Sequence, residues 1–151
     1  MSETDNSSRP IDVASSRFNE GFSCSQSVLV AFAPQLGLDV DAALRVSAAF
    51  GGGMGRLGHT CGAVTGALMV LGLKYGAIVA DPAAKERMYA LTREFIARFE
   101  ARHGATTCAD LLGVNIGAPE GQAAAREANL FKTVCPELVA SAAAILEEMG
   151  V

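Results

Sequence analysis

Cys24, Cys61, Cys108 and Cys135 are the residues of this chain whose chemistry goes furthest beyond packing. A thiolate attacks disulfides and binds soft metals, whereas a protonated thiol does neither effectively. Each of the four opens a predicted helix. Ser23-Cys24-Ser25-Gln26 reads as a capping box, with the Ser23 hydroxyl reaching forward and the Gln26 amide reaching back. Thr60-Cys61 and Thr107-Cys108-Ala109-Asp110 each place a capping hydroxyl just before the cysteine, and Cys135, preceding Pro136, is itself placed to cap the last helix. At such positions unpaired backbone N–H groups and the positive end of the helix dipole favour negative charge, and a thiol pKa of about 8.5 falls to roughly 3.5–7.5. All four sulfurs are therefore expected to ionise readily.

No two cysteines are close in sequence, and no Cys-x-x-Cys pair occurs. That excludes a thioredoxin-type motif, haem attachment and zinc ribbons, and it matches neither ferredoxin spacing. Any joint site must be assembled by the fold. Cys61-Gly62-Ala63-Val64-Thr65-Gly66 adds glycines one helical turn apart, and both Gly62 and Gly66 leave room for a cofactor or for a neighbouring helix. His59, two residues before Cys61, is a candidate additional ligand or proton carrier, weighed against the commoner role of an exposed loop histidine.

Gly53-Met54-Gly55-Arg56-Leu57-Gly58 spells the dinucleotide fingerprint, with Asp81 further on at a plausible distance. It lacks the preceding strand and the parallel βαβ unit that give the fingerprint its meaning, so it is discounted. The loop over residues 51–58 remains a candidate for wrapping a small anion, helped by Arg56.

Cys24, the Cys61–Gly66 segment, Cys108 and Cys135 resemble the pattern for which the C_GCAxxG_C_C family is named. The resemblance runs from about Phe18 to Cys135, although the family name writes glycine before cysteine and here Cys61 precedes Gly62. It implies redox activity centred on the four cysteines, and a related cysteine region in a split-Soret type of cytochrome implies an iron–sulfur centre. Three readings follow. The leading one is a 2Fe–2S cluster on Cys24, Cys61, Cys108 and Cys135, used for one-electron transfer, its negative charge stabilised by four helix N-termini. A zinc ion on the same four thiolates is the structural alternative. Thiol–disulfide exchange needs no cofactor and would use Cys61 as nucleophile, accessible beside its glycines. The expected partner is a redox protein or a small thiol or disulfide. An interaction module without redox chemistry, homo-oligomeric through its small-residue helix face, is the third class. Between an oxidoreductase and an electron carrier the sequence does not choose.

These residues must be positioned by helices. Residues 1–10 read as a disordered polar leader and residues 11–151 as a single domain. A short helix begins at Ile11, a second runs from Cys24 to Gln35, and a third, capped by Asp39, extends to about Phe50 with Leu44 and Val46 inward. A long apolar helix starts at Cys61. Asp81-Pro82 opens the clearest amphipathic helix, with Met88, Leu91, Phe95 and Phe99 on one face. A turn at Cys108, a polar Ala-rich segment over residues 122–131 and a last helix from Pro136 to Met149 complete an all-α bundle of about five to seven helices with no sheet.

A hydrophobic share of 50% suffices for a core. The net charge of -4 argues against nucleic acid as a partner. Residues 61–80 are almost uncharged, but Lys74 inside them argues against membrane insertion. The polar start shows no secretory leader, and the expected location is the cytoplasm, where thiols stay reduced.

Overall fold

The computed structural model describes residues 9–151, and these are helical with no strand; a single isolated bridge joins Thr60 to Thr107. The expected leader falls largely outside the described residues, except that Pro10 already belongs to the first helix. In chain order the helices are α1 (Pro10–Asn19), α2 (Cys24–Phe32), α3 (Val40–Val46), α4 (Gly62–Tyr75), α5 (Pro82–His103), α6 (Cys108–Leu112), α7 (Pro119–Glu127), α8 (Leu130–Thr133) and α9 (Cys135–Glu148). Short 3-10 turns extend α2 over Ala33–Leu36 and follow α3 over Ala48–Phe50.

α4 is the central element. Its apolar residues surround the whole axis rather than forming a stripe, as a helix enclosed over most of its length requires; Gly62 through Ala67, Val70 and Leu71 are buried, and Gly72 to Tyr75 are exposed. It packs most extensively against α2, which α1 and α9 cover in turn. Two glycines set the α2–α4 distance. A Cβ on Gly62 would lie 2.9 Å from the Ser25 nitrogen, and one on Gly66 would lie 2.7 Å from the Ser25 carbonyl oxygen. Both neighbours are backbone and cannot swing aside. Gly72 meets nothing and plays no such role.

α5 lies across the bundle by its C-terminal half, where Phe95 and Phe99 are fully buried and their rings stack at 6.2 Å between centroids. Asp81 caps it, its carboxylate accepting from the Ala83 nitrogen at 3.3 Å. α9 contributes Leu138, Val139, Ala142, Ala143, Ile145 and Leu146 to the same core. A second, smaller core gathers Cys108, Leu112, Ile116, Ala125 and Cys135 beneath α6 to α8. Cys61 belongs to the first core, and Cys24 packs against both.

Several expected boundaries shift for physical reasons. α3 stops at Val46, which is 58% exposed instead of inward; Ala43 and Ser47 take the buried positions, and Ser47 turns its hydroxyl back onto the Ala43 carbonyl at 2.7 Å. Asp39 occupies the cap position of α3 without a side-chain bond. The apolar run after Cys61 ends as a helix at Tyr75, where Gly76 adopts an extended conformation, and Ile78 beyond it is fully exposed. Lys74 donates to the Gly150 carbonyl at 3.1 Å. No single helix among the described residues is long and apolar enough to cross a membrane.

Candidate functional site

The four cysteines come from four separate helix starts and line one cavity of about 940 Å³ at the seam between the two cores. Local backbone chemistry holds each one. The Ser23 capping box is complete: the Ser23 hydroxyl accepts from the Gln26 nitrogen at 3.4 Å, and the Ser23 nitrogen donates to the Gln26 side-chain oxygen at 3.0 Å. The Gln26 amide also donates to the Leu44 carbonyl at 2.9 Å, and the buried Ser25 hydroxyl donates to the Ser47 carbonyl at 2.9 Å. Cys24 is thereby fixed against α3 and the following turn.

Cys61 and Cys108 are set against each other by a short two-chain ladder. The Cys61 nitrogen donates to the Thr106 carbonyl at 2.7 Å, the Cys108 nitrogen to the His59 carbonyl at 2.6 Å and the Ala109 nitrogen to the Gly58 carbonyl at 3.1 Å. Thr107 caps α6, its hydroxyl accepting from the Asp110 nitrogen at 3.2 Å. The expected Thr60 cap is absent: Thr60 is in the bridge to Thr107, and Cys61 takes the cap position of α4 without a side-chain bond. Cys135 is likewise the first residue of α9 and not its cap, because the Val134 nitrogen bonds back to the Leu130 carbonyl at 2.9 Å and carries the turn of α8 straight into α9. Thr107→Ala should cost about 1 kcal/mol of stability, read as a lower denaturant midpoint, and should loosen the segment carrying Cys108.

The loop before Cys61 is a left-handed turn. Gly52, Gly53, Met54, Gly55 and Arg56 all have positive φ, between 62° and 70°. For Met54 and Arg56 that conformation costs roughly 1–2 kcal/mol each, a strain held at the edge of the cavity. Gly53 is the pivot, since a Cβ there would lie 2.6 Å from the His59 nitrogen, 2.7 Å from the His59 carbonyl oxygen and 2.8 Å from the Cys108 Cβ. The His59 backbone thus serves the site, while its ring is exposed and lines no part of the cavity. Gly62 borders the cavity, whereas Gly66 does not, and its role is close packing on Ser25.

The expectation of four acidic thiols fails for two of them. The single proton of the Cys24 thiol is shared with the sulfurs of Cys135 and Cys61, which holds it in place and raises the Cys24 pKa well above the usual thiol value; burial and the two neighbouring charges act in the same direction. The same hydrogen bonds lower Cys61 and Cys135. Cys61 is further helped by the Ala63 and Val64 N–H groups at the start of α4, the helix-terminus effect anticipated from sequence. Cys108 is pushed up to about 12, first by burial and then by the charges of Cys61 and Cys135. Nor is Cys61 accessible: it is 3% exposed, and Cys24 is the one cysteine that is only partly buried. All four are free thiols. Among the described residues no three His, Cys, Asp or Glu side chains are grouped as ligands of a single ion.

Sequence reasoning missed the rest of the cavity wall. Phe18 and Phe22 from the region of α1, Arg126 from α7 and Lys132 from α8 all border it. These positions carry no local motif, and their convergence is a property of the tertiary fold.

No curated protein and no solved structure matches the chain. Over residues 22–149 it matches the family model described as "Putative redox-active protein (C_GCAxxG_C_C)". That span contains all four cysteines, the glycine-bearing start of α4 and the left-handed turn, and the chain belongs to the C_GCAxxG_C_C family.

Proposed function

We propose that this protein is a one-electron carrier whose four cysteines hold a two-iron, two-sulfide cluster. The observation that supports the reading is the convergence of four free thiols, from chain segments far apart in sequence, on one cavity. The donor set fits, because such a cluster takes four thiolates and distributes them over two irons, so it does not need three ligands around one ion. When bound, the cluster supplies a one-electron couple and a positive metal charge that draws protons from its thiol ligands.

The chain's own residues do the remainder. The thiols of Cys61 and Cys135 ionise more easily than an ordinary thiol, and the N–H groups at the start of α4 stabilise negative charge at Cys61. Cys24 and Cys108 hold their protons chiefly through hydrogen bonding and burial, with the neighbouring thiolates adding to both shifts, so without a compensating cation the four cannot ionise together. Phe18, Phe22 and Leu112 supply an apolar wall that limits water. Anaerobically purified protein should show visible absorbance with iron and sulfide in equal amounts. A colourless protein whose thiols take up neither iron nor sulfide on reconstitution rejects the proposal.

The direct contacts from the Cys24 thiol to Cys61 and Cys135 favour thiol–disulfide exchange as the second reading. Oxidation of metal-free protein followed by peptide mapping tests it: a Cys24–Cys61 or Cys24–Cys135 disulfide supports exchange, and four unmodified thiols remove it.

A further inference from the structure

Arg56, Arg126 and Lys132 border the same cavity as the cysteines, and no Asp or Glu borders it. The chain as a whole has the opposite balance, with 16 acidic against 12 basic residues. Four of the seven arginines elsewhere find partners, Arg9 with Glu147, Arg17 with Glu20, and Arg98 and Arg102 with Glu148, while Arg45, Arg87 and Arg93 are in no ion pair among the described residues. Among the described residues, none of the three cavity cations is in an ion pair.

Arg56 is placed by the strained turn. Its backbone φ is +67°, and a Cβ on Gly52 would stand 2.7 Å from its Cγ, so the absence of a side chain at Gly52 allows the Arg56 side chain to lie close over the loop. Arg126 and Lys132 border the cavity from α7 and α8. Gln26 and Gln122 add neutral polar groups, but their amides are already engaged, with the Leu44 and Ile116 carbonyls respectively. Asn19 adds a neutral amide, and the charged groups of the wall are all cationic. A cavity of about 940 Å³ is also far larger than four sulfurs need and falls in the range of small-molecule sites.

We infer that the mouth of the thiol cavity binds a small polyanion, a phosphate- or carboxylate-rich molecule held by Arg56 from the left-handed turn and by Arg126 and Lys132 from α7 and α8. Binding of the anion follows from the cations alone. Guanidinium groups suit this ligand because they present paired donors to an oxyanion, and the three exposed cations together make the cavity mouth attractive to anions.

Calorimetric titration of the protein as isolated tests the inference, with pyrophosphate and citrate as the phosphate and carboxylate probes. Saturable binding of at least one probe, at one site per chain, is expected, weaker at high salt. Arg56→Gln and Arg126→Gln should each weaken it about tenfold, the loss of one charge-assisted contact. Arg93→Gln, on the exposed face of α5 and away from the cavity, should leave it unchanged. Absence of saturable binding of either probe, or equal weakening by Arg93→Gln, overturns the inference. Iron and sulfide content of the same samples separates the two ideas. If Arg56→Gln and Arg126→Gln strip the metal instead, the cations are counter-charges of the centre and the inference fails. A metal-free protein that still binds pyrophosphate upholds the anion site while rejecting the cluster.

Discussion

Gly53→Ala should destabilise the protein by about 2–5 kcal/mol, the sum of a left-handed penalty of roughly 1–2 and an overpacking cost of about 1–3. The structural reasons are independent. Gly53 has φ +70°, and its added Cβ would meet the nitrogen and carbonyl oxygen of His59, neither of which can rotate away. The third neighbour is the Cβ of Cys108, at 2.8 Å. Relief of the clash must move either the His59 backbone, which accepts from the Cys108 nitrogen, or Cys108 itself. Thermal unfolding should therefore begin markedly earlier, and any metal or thiol signature of the cavity should weaken at temperatures where the chain is still folded. Gly55→Ala is the control. Its φ of +62° carries the conformational cost, but nothing lies within 4 Å of its added Cβ, so it should be milder and leave Cys108 in place. Equal effects from the two substitutions would show that Gly53 is not the contact we describe.

Cys24→Ala should have the largest effect on chemistry. In the proposed cluster it removes one of four thiolate ligands, and bound iron should fall well below the wild-type level. In metal-free protein the substitution reads the hydrogen-bond network directly. The largest influence lowering Cys61 and Cys135 is the bond each receives from Cys24. Without it both thiols should titrate at higher pH, so ultraviolet thiolate absorbance should rise at more alkaline pH than in the wild type. Cys108→Ala should leave both titrations close to those of the wild type, since Cys108 contributes to neither shift and keeps its own proton up to about pH 12. A lowered or unchanged titration in Cys24→Ala would mean that the Cys24 proton is not shared with its neighbours. Because Cys24 is the least buried of the four, its truncation leaves a smaller packing defect than the same change at Cys61.

The sequence revealed those parts of the site that are set by neighbours in the chain. Ser23 with Gln26, Thr107 before Cys108 and Asp81-Pro82 are short-range capping signals, and each forms as read. The all-α class was legible because apolar residues recur at helical spacing throughout, and the four cysteines were legible as helix starts. Thr60 and Cys135 were misread for a common reason: a longer-range backbone bond took the place of the local cap, from the ladder with Thr107 in one case and from α8 in the other. Val46 points outward because Ser47 closes the turn after α3 with its hydroxyl, a competition that periodicity cannot register. The division of the cysteines into two whose pKa is lowered and two whose pKa is raised arises from burial and from contacts between thiols on different helices. No sequence pattern encodes it.

The cavity lies where the large core of α2, α4, α5 and α9 adjoins the small one under α6 to α8. Two apolar nuclei of unequal size imply unequal resistance to local opening. The small one can part from the large one while α4 stays protected from solvent, and the plane of separation passes through the sulfurs. Exchange of backbone amides in α6 to α8 would then report the same breathing motion that admits whatever the thiols must meet, and tightening that seam would slow access and protect the protein in equal measure.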